Sequence, residues 1–354
     1  MIRKLECLFF SRGRGHGHAI PDMAIANELP NFLPNLNIRF ASYGTGAETF
    51  RRHHHEVVDL HLPEDNPYLP TVIATRNTIL DYRPDIVLAH EEPAAIFAAK
   101  LSDIPSIFVS AWLPASTSIM GASLAHAGAI VLFEKPGIFA PPDASIPIRY
   151  AGPLVRRFKY RRQDREKARA ELNIPASAIV LLVAPGGWAS EAKAPIAPAV
   201  FAGFAKLPFA EKQLLWLAGK DHDHLASLVG TDANIRLLPH TDDMDRLLVA
   251  SDLVITKANR GTVFEAASLG IPTISLSFGL NPIDDLLVAR LRSNLLLSAR
   301  ATDGAALGQY IQDILSDDGS KNPPPLALDK SAQQTAQLIA EEIQRLTPFV
   351  NPEA

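Results

Sequence analysis

Residues 252–276 read DLVITKANRGTVFEAASLGIPTISL, and several of these side chains are of types that bind a nucleotide. The apolar, β-branched run 253–255 predicts a buried strand. Gly261 and Thr262 open a helix, and Gly270 with Pro272 closes it. A helix start presents unpaired N–H groups and a partial positive charge, which suits a phosphate. Glu265 is expected in the first turn, where its carboxylate could accept two hydrogen bonds from the vicinal hydroxyls of a ribose. The plain alternative is a helix whose acidic residue favours its dipole. A second glycine pair, Gly186 and Gly187, follows another buried run in LLVAPGGWASEA. It repeats the design of a loop whose backbone approaches a phosphate.

The first loop, SRGRGHGHAIP at 11–21, carries a different chemistry. Gly13, Gly15 and Gly17 let the backbone come close to a ligand, but His18 stands where a dinucleotide fingerprint needs its third glycine. His16 and His18 fall on a turn at the carboxyl end of the first strand, where open parallel sheets bind ligands. A histidine there can take a proton from a hydroxyl near neutral pH. No third ligand follows at metal-binding spacing. His90–Glu91–Glu92 follows another strand end, so Glu91 is a candidate acidic partner for the histidine or simply a cap. The DDMD run at 242–245 reads as a helix cap, and the histidines at 53–55 and 221–224 read as solvated loops.

Strand and helix patterns alternate to position these residues. Strands are expected at 5–10, 38–43, 57–60, 86–89, 107–109 and 129–133, then at 179–183, 214–218, 235–237, 253–256 and 273–276. Helices between them imply an α/β chain with parallel sheets covered on both faces. The expected division is a domain over 1–150, a linker over 151–163, a second domain over 164–325, and a connector with a final helix over 326–354. The join is strongly basic, with Arg149, Arg156, Arg157, Lys159, Arg161, Arg162, Arg165, Lys167 and Arg169. It reads as a solvated face, or as a surface for anionic lipid or a diphosphate acceptor.

With 354 residues, 47% hydrophobic and 20% charged, the chain is of ordinary globular type and long enough for two domains. A net charge of -4 gives no electrostatic case for nucleic acid. Cys7, the sole cysteine, excludes an internal disulfide and suits a reducing compartment. No signal peptide is visible at the start, because a Gly/His loop stands where a cleavage site belongs. Residues 105–133 lack Asp, Glu, Lys and Arg, but their Ser-, Ala- and Gly-rich middle reads as strand, loop, strand.

Taken together, the motifs resemble those of the GT-B-fold glycosyltransferases in the UDP-glycosyltransferase superfamily, and most closely the family 28, MurG-like type. The N-terminal pattern is Gly17-His18-Ala19-Ile20-Pro21, the phosphate loop is Gly186-Gly187, and the donor motif is Lys257, Asn259, Thr262, Glu265, Ala266, Gly270 and Pro272. The resemblance implies two doubly wound Rossmann-like domains facing across a cleft. It implies an inverting transfer from a nucleotide-diphosphate sugar, a UDP-sugar, to a hydroxyl acceptor. His18 would be the general base, with Glu91 beside it. Gly186, Gly187, Lys257, Asn259, Arg260, Gly261 and Thr262 would surround the diphosphate, Glu265 would hold the ribose and His240 would lie beside the base. Asp284 and Asp285 fall where the family reads the donor sugar, with Asp285 in place of a glutamine, and Arg260 replaces a common glycine. His16 and Trp112 fall on the acceptor side.

No metal cofactor is expected, since helix N–H groups can meet the departing diphosphate. The expected partners are a nucleotide sugar and a small-molecule or lipid-linked acceptor, in the cytoplasm, with contact at the inner membrane face. The apolar, small-residue stretch 112–124 suits a lipid, polyketide or aromatic acceptor. Two other readings share these motifs: an isomerase like UDP-N-acetylglucosamine 2-epimerase, and a non-catalytic nucleotide-sugar binder.

Overall fold

The computed structural model describes residues 3–63, 65, 67–140, 145–186, 190–316 and 324–348. The chain forms two compact units, Met1–Arg157 with Leu328–Ala354, and Phe158–Ala327.

The first unit is built on β1 (Leu5–Ser11), β2 (Leu36–Ser42), β3 (Val57–Asp59), β4 (Ile86–His90), β5 (Ser106–Ser110), β6 (Ala129–Leu132) and β7 (Ile148–Tyr150). They form one sheet in the order β3-β2-β1-β4-β5-β6-β7, all parallel. Its central strands are buried on both faces, which is why they read as continuous apolar runs and not as alternating ones. Burial pushes the Cys7 thiol up, so it is an inert part of this core. The segment 105–133 forms β5, a loop, the short helix Ile119–Leu124 and β6. Among the described residues no helix is long and apolar enough to cross a membrane.

The final helix, Ser331–Leu346, joins this unit. Ala336, Ile339, Ala340 and Ile343 sit in one apolar cluster with Phe9, Ile25 and Val131. Arg149 pins it by pairing with Glu341 and, at 2.9 Å, with Glu342. The tail therefore closes the first core from the far end of the chain.

The second unit carries β8 (Ile179–Val183), β9 (Lys212–Leu217), β10 (Ile235–Leu238), β11 (Leu253–Thr256), β12 (Thr273–Ser277) and β13 (Asn294–Ser298). Their order is β10-β9-β8-β11-β12-β13, again all parallel. Both sheets thus reverse strand order once, between β1 and β4 and between β8 and β11. Open α/β sheets bind ligands at such switch points, beyond the carboxyl ends of the strands.

Part of the basic join is consumed by structure, while Arg157, Lys159 and Lys167 stay exposed. Arg169 is 2% exposed and donates to the carbonyls of Ala176, Ala178 and Ala250 and to Asp252. Arg165 pairs with the same Asp252, and Arg162 donates to the carbonyls of Val249 and Ser251. The backbone N–H groups of Lys159 and Tyr160 donate to Asp245, so this residue of the DDMD run anchors the entry to the second unit. These arginines hold the helix Arg165–Glu171 in place.

Candidate functional site

At the first switch point, β1 leads through the glycine-rich turn into the helix Ala19–Glu28, with His18 at its N-cap position. A Cβ at Gly13 would lie 2.1 Å from the carbonyl oxygen of Tyr43, so only glycine fits there. Gly15 has φ +68, a left-handed conformation that glycine adopts freely. His18 Nε2 lies 2.9 Å from Glu91 Oε2, linking the loop after β1 to the end of β4. Glu91 has φ 49, sparsely populated for a residue with a side chain, and such strain is held only where neighbours enforce it. Its Oε1 faces Ser110 Oγ and the Ala111 N–H, each at 3.4 Å, on the turn that carries Trp112.

An ionised carboxylate only accepts hydrogen bonds, so Nε2 of His18 carries the proton of that pair. The other ring nitrogen, Nδ1, is buried and has no hydrogen-bond partner among the described residues. Burial pushes the His18 pKa down, against the pull of Glu91 and with smaller downward contributions from His90 and Arg12. The neutral ring is the form that can accept a proton. His16 points elsewhere: its Nδ1 lies 2.7 Å from Thr49 Oγ1, on the helix Gly44–Arg52.

Sequence reasoning missed Asp22 and gave His90 no role. His90 Nδ1 lies 2.6 Å from Asp22 Oδ1, both side chains are buried, and the His90 ring meets His18 edge-on at 4.9 Å. Asp22 follows His18 by one helical turn, a spacing that was legible; its partner on β4 was not. One ligand-type atom each from His18, His90 and Glu91 lie within 4.8 Å of one another, the set that could hold a cation.

At the second switch point, Gly186 follows β8 and the loop after β11 runs into the helix Arg260–Ser268, with Asn259 at its N-cap position. These two loops meet: Gly186 has φ +78, and a Cβ there would lie 2.5 Å from Asn259 Nδ2. Gly187 lies outside the described residues. Arg260, Gly261 and Thr262 occupy the first turn, while Glu265 is one turn further in than expected and is buried with Thr262. The helix begins at Arg260, which moves Glu265 to the second turn.

Arg260 Nη1 lies 3.5 Å from Asp284 Oδ1, so the donor loop touches the start of the helix Pro282–Val288. Asp285 instead accepts from Ser277 Oγ at the end of β12. His240 sits on the loop after β10, 3.4 Å from Asp242 Oδ1. Lys257 has a buried acidic partner. Its ammonium is buried 2.5 Å from Glu191 Oε1 and is shielded from solvent. Glu191 Oε2 also accepts from the N–H groups of Ile196 and Ala197, capping the helix Ala197–Ala205. Glu191 had no local signal, lying far from Lys257 in the chain.

Residues 189–281 match the glycosyltransferase family 28 C-terminal domain. A UDP-N-acetylglucosamine--N-acetylmuramyl-(pentapeptide) pyrophosphoryl-undecaprenol N-acetylglucosamine transferase from Acetivibrio thermocellus is 25% identical over 289 residues, 75% of this chain and 76% of the relative. The glycotransferase of kitacinnamycin superposes with a TM-score of 0.70 at 16% identity, covering 97% of this chain and 99% of that one. UDP-GlcNAc 2-epimerase from Neisseria meningitidis, bound to UDP-GlcNAc, gives 0.65 at 13% identity, covering 97% and 100%. Two parallel sheets with paired switch points and the matched donor segment define a GT-B-fold glycosyltransferase. Within that class residues 189–281 carry the likeness to family 28, and the chain is similar to the N-acetylglucosamine transferases of the MurG type.

Proposed function

We propose that this enzyme moves a sugar, with inversion, from a UDP-sugar to a hydroxyl acceptor, with His18 as general base. The observation that carries this is the His18–Glu91 pair at the first switch point, with one ring nitrogen committed and the other without a hydrogen-bond partner among the described residues. In this reading His18 Nδ1 takes the proton of the acceptor hydroxyl, and Glu91 holds the imidazolium that results. The hydroxyl oxygen bonds to the anomeric carbon as the bond to the diphosphate breaks. The negative charge on the departing diphosphate is met by N–H groups at the start of the helix Arg260–Ser268, so no metal is required. Nδ1 is closed to water, so an acceptor hydroxyl reaches it only once the groups around it give way.

The Acetivibrio relative's name supports UDP-GlcNAc as donor and a pyrophosphoryl-polyprenol as acceptor. A lipid-linked acceptor asks for contact with a membrane surface. The helix Tyr68–Tyr82 supports this with Leu69, Ile73 and Leu80 exposed at 68%, 62% and 47%, spaced along one face.

The test is calorimetry with UDP, without added metal, on wild type and Glu265→Ala. Loss of a charged hydrogen-bonding group is expected to weaken binding by about 10-fold or more; equal affinities would remove Glu265 from the ribose. His18→Ala should cut turnover far more than UDP affinity, and the reverse would reject the base. Because the fold is shared with an epimerase, UDP-GlcNAc incubated without acceptor should give no new UDP-sugar.

A further inference from the structure

Two consecutive residues at the end of β4 grip two residues one turn apart at the start of the helix Ala19–Glu28. Glu91 takes His18 and His90 takes Asp22. The Asp22 N–H also donates to the His18 carbonyl, at 3.1 Å, so the two gripped residues are tied through the helix itself. Asp22 and His90 lie outside the base assignment, yet both are buried, at 0% and 2% exposed.

We propose that the Asp22–His90 pair is a positioning element that keeps the His18 ring turned toward Glu91, with its Nδ1 bare. It rests on the reading of His18 as the base and adds two residues to it. The geometry gives the reason. The His90 ring stands edge-on to His18 at 69° and 4.9 Å, so it fills the space into which His18 would turn. His90 cannot yield, because Asp22 holds its Nδ1 on one side and the Phe133 ring meets it at 5.3 Å on another. A carboxylate that receives the Nδ1–H of an imidazole fixes both its tautomer and its orientation. Without Asp22, the His90 ring is free to rotate, and a flip of the His18 ring would exchange a nitrogen for a carbon against Glu91.

Two-bond 15N–1H correlation spectra of the full chain, labelled at histidine and recorded at neutral pH, test this without any substrate. His18→Gln and His90→Gln assign the signals by their loss. Wild-type His18 should show the Nε2–H tautomer with Nδ1 unprotonated. Asp22→Ala should convert that pattern to a tautomeric average, and Asp22→Asn, which keeps an oxygen for His90 Nδ1–H, should restore it. Circular dichroism separates these effects from unfolding. A folded Asp22→Ala chain with the wild-type His18 pattern would overturn the proposal. So would a wild-type His18 that is already tautomerically mixed. Failure of His18 as the base would appear separately, as unchanged turnover in His18→Ala while the wild-type chain still shows the Nε2–H tautomer of His18.

Discussion

Lys257 and Glu191 form an ion pair at 2.5 Å with side chains 0% and 1% exposed. The pair ties the loop after β11, which carries Asn259, to the start of the helix Ala197–Ala205. Removing one partner leaves the other charge buried and unpaired. Lys257→Ala is therefore expected to cost about 3–5 kcal/mol in denaturant unfolding. A variant of wild-type stability that had lost UDP affinity would instead return Lys257 to the phosphates.

Gly186→Ala faces two obstacles at one position. Its φ of +78 disfavours any Cβ, and that Cβ would meet Asn259 Nδ2 at 2.5 Å. The expected loss is about 1–2 kcal/mol of stability. UDP affinity should fall with it, because the helix N-cap at Asn259 is displaced. Calorimetry on the folded variant measures the second effect, and an unchanged affinity would detach this loop from the nucleotide.

The acid limb of the pH–rate profile should lie below the ordinary histidine value of 6.5, because burial depresses the His18 pKa. The ring stays neutral as pH falls through 6.5, and the rate drops only when it gains a proton at lower pH. Around His18 stand Glu91, His90 and Arg12. Glu91→Gln removes the charge that favours the cation, so its acid limb should move to still lower pH, with a reduced kcat. A limb above 6.5 in the wild-type profile would contradict the depressed value.

Treatment with EDTA should leave both UDP binding and transfer unchanged, since the proposed route places helix N–H groups at the diphosphate. The His18–His90–Glu91 group makes this a sharp measurement. Loss of activity on chelation, restored by a divalent cation, would reassign these residues as ligands.

The apolar face of the helix Tyr68–Tyr82 gives a surface prediction. Ile73→Glu with Leu69→Glu places two charges where exposure is 62% and 68%, so stability should change by no more than about 0.5 kcal/mol per site. Flotation with anionic phospholipid vesicles should lose the double variant and retain the wild type. Equal flotation would remove this face from membrane contact.

The α/β class and most strands were legible because strands buried on both faces must be apolar throughout, a property of local composition. The strand Asn294–Ser298 was not read, since it is the half-buried edge of its sheet, nor was the long helix Tyr68–Tyr82, whose apolar residues lie on both its buried and exposed sides. His18 and the helix starting near Gly261 could be picked out because turn glycines and helix starts are written in adjacent residues.

What the sequence determined by itself was therefore the loops that could do chemistry and the strands that feed them. Only the tertiary structure decided which side chains meet: Glu91 with His18, His90 with Asp22, Glu191 with Lys257, and the closing of the first core by the tail helix. The physical reason is that a side chain's charge and hydrogen-bonding capacity are local, whereas its partner is chosen by parallel strand order. That order brings the ends of β1 and β4, and of β8 and β11, side by side across long stretches of chain.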